Sequence, residues 1–129
     1  MTADEERAAL ARLWRDKADE SLAAARLLSE RGMLGLAVGR LYYAAFYAVS
    51  AVLARQGKSY GRHSAVRASL HRDFVNPGTV PRWCGEIYDG LFDDRQDADY
   101  APLRKFEPQQ VSDRIAETAR FLDVFRSLA

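Results

Sequence analysis

Residues 36–53 read Leu36-Ala-Val-Gly-Arg-Leu-Tyr-Tyr-Ala-Ala-Phe-Tyr-Ala-Val-Ser-Ala-Val-Leu53, with Arg40 as the only charge before Arg55. The stretch has no period-two alternation, and its apolar residues fall all round a helical wheel. A run of this length and apolarity has the dimensions of a membrane span. Arg40, Ser50 and the small residues Gly39, Ala44, Ala45, Ala48 and Ala51 point instead to a central helix contacted on several sides. So much apolar surface calls for several covering helices, and a second chain is expected to cover part of it.

Outward from this helix, the glycines and prolines fall in four clusters. These are Gly32 with Gly35, Gly57 with Gly61, Asn76-Pro77-Gly78 with Pro81, and Pro102 with Pro108. Four breaks leave five segments. The first, about 4–31, places Leu10, Trp14, Ala18, Leu22, Ala25 and Leu28 on one helical face, with Gly32 as its C-terminal stop. The second is the apolar helix, about 34–56. The third, about 62–76, carries Val66, Leu70 and Phe74 at steps of four, with Ser64 or the preceding loop as its cap. The fourth, about 81–99, opens with Pro81 in its first turn and continues its stripe through Cys84, Ile87, Tyr88, Leu91, Arg95 and Asp99. The fifth, about 108–128, begins at Pro108 and runs through Val111, Ile115, Leu122, Phe125 and Leu128. The expectation is an all-α, up-and-down bundle of about five helices, forming one domain over residues 1–129.

The 129 residues carry 19 Lys and Arg against 18 Asp and Glu, a net charge of +1, so no global excess points to nucleic acid or an anionic membrane. Within that balance, however, 16 of the 19 cations are Arg. The single cysteine, Cys84, excludes an intramolecular disulfide framework and a Cys-rich zinc site. The acidic, polar N-terminus is unlike a signal peptide, and a cytoplasmic location is expected.

Two groups of residues have chemical potential. Arg40, Tyr43 and Tyr47 share a face at i, i+3 and i+7, placing a guanidinium beside two phenols. That arrangement suits an anion or a base, although a core role for the aromatics and an internal carboxylate for Arg40 fit the same spacing. Arg95 and Asp99 are i, i+4 neighbours with Tyr100 beyond them, and they read equally as a buried Arg–Asp lock against the 101–108 loop. His63 and His71 are eight apart, a poor metal pair, and His63 suits local hydrogen bonding at a helix start. Cys84 beside Trp83 reads as a packed thiol. No phosphate loop, dinucleotide fingerprint, GxSxG or HExxH motif occurs, so neither a cofactor nor a metal is expected.

The ordered pattern Ala37-x-x-Arg40-x-Tyr42-Tyr43-Ala44-x-Phe46, then Gly57 and His63, Phe74, Arg95-x-x-Ala98-Asp99-Tyr100, and Ala119-x-Phe121 resembles the HEPN domain (higher eukaryotes and prokaryotes nucleotide-binding). It is most similar to small stand-alone prokaryotic members whose fourth helix ends in R-x-x-A-D-Y, and the likeness runs from about residue 11 to 128. The resemblance implies a helical homodimer, often encoded beside a minimal nucleotidyltransferase in toxin–antitoxin-like pairs, with nucleotide or RNA as possible ligands. Catalytic members carry an R-x(4–6)-H ribonuclease motif, whose Arg corresponds to Arg95. Residues 100–102 are Tyr100, Ala101 and Pro102, so the motif His is missing. Two readings follow from the resemblance. One is a binding partner of a nucleotidyltransferase, with Arg40, Tyr43, Tyr47 and Arg95 at the interface or cleft. The other is a divergent metal-independent ribonuclease using Arg95 with Asp99 or Tyr100.

Overall fold

A computed structural model describes the whole chain, Met1–Ala129. It is all-helical, with five α-helices and no strand. Helix α1 spans Ala3–Glu30. It starts where the Thr2 side chain accepts a hydrogen bond from the Glu5 amide at 3.1 Å, with Asp4, Glu5 and Glu6 at the positive end of the helix dipole. It ends at Gly32, whose φ of 76° lets the Met33 amide fold back onto the Leu28 carbonyl at 2.9 Å. Helix α2, Leu34–Arg55, follows at once and returns antiparallel. Gly57 stops it in the same way, with φ 74° and the Lys58 amide on the Leu53 carbonyl at 2.8 Å.

Helix α3 spans His63–Ser69 and widens into a π-helical turn, Leu70–Val75. Helix α4 covers Arg82–Tyr100 and α5 covers Pro108–Arg126. Pro108 occupies the first turn of α5, as its lack of an N–H favours. Pro81 instead forms the N-cap of α4, one position earlier than expected, with extended ψ of 151°. Ser64 caps nothing, because α3 already begins at His63 after the extended Arg62.

Tyr42, Leu41, Val49 and Val52 of α2 fill the centre, where they meet Leu70, Phe74, Tyr88, Leu91, Phe121 and Phe125. The Phe121 and Phe125 rings stack at 4.6 Å. Each such side chain contributes about 1.5–3 kcal/mol by leaving water. The buried face of α1 is narrower and lighter than its sequence implies. Ala11, Ala18, Ser21, Leu22 and Ala25 are buried, whereas Leu10 is 45% exposed. These small residues allow close approach to α2, and the Ser21 hydroxyl donates to the Arg40 carbonyl at 2.8 Å. Helix α2 is long and apolar enough to cross a membrane by composition alone, yet it is the core helix here, packed by α1, α4 and α5. Most of its apolar surface is covered within one chain, while Leu36 is exposed and Tyr43, Phe46 and Tyr47 are only partly buried.

On α4 the buried carboxylate is Asp94, not Asp99. Asp94 accepts from Arg114 Nε of α5 at 2.9 Å and lies 3.8 Å from Arg104, which also pairs with Asp97. This is the lock that fastens the 101–107 connection to the bundle. Asp99 is exposed and pairs only loosely with Arg95, at 3.5 Å.

Candidate functional site

With Asp94 turned toward α5, its neighbour Arg95 points to a different face of α4. There its guanidinium lies 5.1 Å from the centres of both the Tyr42 and Tyr43 rings. Arg40, one turn earlier on α2, reaches the same Tyr43 ring at 4.7 Å. Arg40 thus rests on an aromatic face and not on an internal carboxylate. Tyr43 continues to Tyr47 at 5.8 Å, and Tyr47 stacks on Trp14 at 5.7 Å with Lys17 above it at 5.3 Å. Arg40 and Tyr47 also border a shallow hollow with Lys17, Glu20, Ser21 and Ala24. The helical spacing of Arg40, Tyr43 and Tyr47 thus produces a band of alternating cations and rings, which Arg95 joins from α4. Tyr100 stands apart, 77% exposed at the end of its helix.

His63 also enters this group, across twenty-one residues of chain and not through local bonding. Its Nδ1 lies 2.9 Å from the Tyr42 hydroxyl. Its ring stacks on Phe46 at 4.2 Å and meets the Tyr43 ring edge-on at 5.7 Å. Burial, aided by the Arg95 charge, holds its pKa below the ordinary histidine value. His63 is therefore a neutral imidazole at neutral pH, packed among the tyrosines that carry Arg95. Burial likewise raises the pKa of the Tyr42 phenol, which keeps its proton. Sequence spacing placed His63 in a separate helix and so assigned it no part in the site. The one sequence signal for it was its place in the ordered pattern after Gly57.

The second histidine belongs elsewhere. His71 Nε2 and Arg67 Nε both engage Asp89 Oδ1, at 3.0 and 2.9 Å, while the Arg67 guanidinium lies 4.4 Å from the centre of the Phe92 ring. The chain has no cluster of three His, Cys, Asp or Glu able to hold a metal. Cys84 is fully buried, and burial pushes its thiol up to about 11, so it lacks the thiolate that nucleophilic chemistry needs.

Nearly the whole chain matches a known protein family. Residues 11–128 match the model of the HEPN domain. The chain belongs to the HEPN family. Among curated HEPN relatives, "UPF0332 protein" of Thermotoga maritima is 42% identical over 115 residues, spanning 89% of this chain and 87% of that protein. "Putative toxin MJ0605" of Methanocaldococcus jannaschii is 31% identical over 106 residues, 82% of this chain and 78% of the relative. "Putative toxin MJ0142" of the same organism is 31% identical over 85 residues, 66% and 58% of the two chains. Arg95, which the resemblance aligns with the Arg of an R-x(4–6)-H pattern, lies on the aromatic band, and Tyr100 is exposed.

Proposed function

We propose that this HEPN protein is the binding component of a cytoplasmic toxin–antitoxin-like pair. It works as a homodimer beside a minimal nucleotidyltransferase and takes a nucleotide or an RNA segment on the Arg40–Tyr43–Arg95 surface. The observation that carries the reading is the convergence of two guanidiniums, from different helices, on one half-buried phenol ring. Neither Arg40 nor Arg95 has a close carboxylate to neutralise it fully, Asp99 being 3.5 Å from Arg95. Such a surface offers charge for phosphate and ring faces for a base. The toxin names of two relatives support the functional setting. The resemblance to stand-alone HEPN proteins supports the nucleotidyltransferase partner and the dimer.

The experiment is binding of a short labelled single-stranded RNA to wild type, Arg40→Ala and Arg95→Ala, alongside light scattering and co-expression with a minimal nucleotidyltransferase, taken from the neighbouring gene where one is encoded there. The reading expects weaker RNA binding in both variants, a dimer at micromolar concentration and co-purification of the partner. Unchanged RNA binding in both variants removes the assigned surface.

The divergent-ribonuclease reading draws on one observation, the packing of His63 beside the rings that carry Arg95. Asp99 and Tyr100 contribute less to it, one being ion-paired at the exposed helix end and the other turned to solvent.

A further inference from the structure

The hydrogen bond between Tyr42 and His63 decides what His63 is able to do. Tyr42 is completely buried, and its hydroxyl lies 2.9 Å from His63 Nδ1. The neighbouring Tyr88 hydroxyl is buried, and the one phenol it interacts with is Tyr42. In a neutral imidazole one nitrogen donates and the other accepts. If Nδ1 carried the proton and donated to Tyr42, the Tyr42 proton would turn to the Tyr88 oxygen and the Tyr88 proton would be left in the core without an acceptor, a cost of about 1–3 kcal/mol. If Tyr42 donates to Nδ1, every proton is placed and Nε2 carries the ring hydrogen. No protein group engages Nε2. The groups around the ring reinforce a neutral state: Arg95 from α4, Tyr42 and Tyr43 from α2, and the Phe46 face stacked on the imidazole.

The geometry points to His63 as a tautomer-locked hydrogen-bond donor that presents Nε2–H, beside Arg95, to a phosphate-bearing ligand, with Tyr42 as the positioning residue that sets the lock. The assignment rests on the proposed nucleotide- or RNA-binding function and sharpens it. A ring whose Nδ1 is taken by Tyr42 and whose Nε2 is protonated has no lone pair free for the proton of an attacking hydroxyl. His63 in this state binds and does not serve as a general base.

The test combines nitrogen NMR of the His63 ring with titration of adenosine 5′-monophosphate. At neutral pH the ring is expected to show an unprotonated Nδ1 and a protonated Nε2, and Tyr42→Phe, which keeps the ring packing, is expected to show both tautomers. His63→Gln, whose amide reproduces the Nε2–H donor, is expected to bind the nucleotide within about threefold of wild type. His63→Ala is expected to bind roughly tenfold more weakly, the loss of one hydrogen bond to a charged group. A protonated Nδ1 in wild type overturns the lock, and equal losses in the Gln and Ala variants overturn the donor role. Failure of wild type to bind the nucleotide at all overturns the ligand-binding reading and the ligand role of His63 with it. The tautomer result is read independently in every case.

Discussion

Arg40 and Arg95, fifty-five positions apart in sequence and on separate helices, lie over the same ring, Tyr43, at 4.7 and 5.1 Å. Two cations gathered on one phenol repel each other, and the ring's negative face offsets only part of that repulsion. An anion bridging the guanidiniums relieves the rest. Substituting Arg95 by Ala is therefore expected to weaken single-stranded RNA binding about tenfold at low salt and to reduce the slope of log K against log salt by about 0.7, the loss of roughly one phosphate contact. Fluorescence anisotropy over a salt series measures both quantities. Loss of affinity without a change in slope would assign Arg95 to packing instead.

The Asp94–Arg114 pair is the main polar fastening between α4 and α5. Asp94→Ala leaves the partly covered Arg114 guanidinium without its carboxylate at 2.9 Å and frees Arg104 from one of its two partners. A loss of about 2–3 kcal/mol is expected from urea unfolding. A loss within 0.5 kcal/mol would mean that water replaces Asp94 without penalty.

The glycines of α2 and α4 separate packing from propensity. A methyl group at Gly39 meets nothing within 4 Å, so Gly39→Ala is expected to stabilise the chain by about 0.5–1 kcal/mol. At Gly90 the added carbon lies 2.6 Å from the Arg114 guanidinium and displaces the group that holds Asp94. Gly90→Ala is expected to destabilise despite the better helix former. Thermal melts of the two variants should shift in opposite directions.

His63 contributes a defined pH dependence. Its folded pKa lies below the unfolded value of about 6.5, so unfolding takes up a proton between the two values. Its contribution to stability is present above pH 6.5 and is lost as the pH falls below it. The difference in Tm between pH 8 and pH 5 is expected to be smaller in His63→Gln than in wild type, and an unchanged difference would show that His63 is not held neutral by the fold.

The fold was legible because its signals are local. Gly32 and Gly57 marked helix ends that a positive φ then confirmed, and the all-round apolarity of residues 36–53 identified the core helix. The spacing of Arg40, Tyr43 and Tyr47 correctly placed them on one face. What could not be read is which side of α4 each charge takes. Asp94 and Arg95 are adjacent, and only the position of α5 makes Asp94 the buried acid and turns Arg95 toward the tyrosines. His63 was missed for the same reason. Its hydrogen bond to Tyr42 spans twenty-one residues, and helical periodicity carries no information about contacts at that range.

The most direct test of the binding reading is incubation of an end-labelled single-stranded RNA with wild type and Arg95→Ala, scoring bound and cleaved RNA in the same samples. The account predicts that wild type binds the RNA and leaves it intact, and that Arg95→Ala binds it about tenfold more weakly. Cleavage by wild type that disappears in Arg95→Ala would contradict it and make this HEPN protein a ribonuclease.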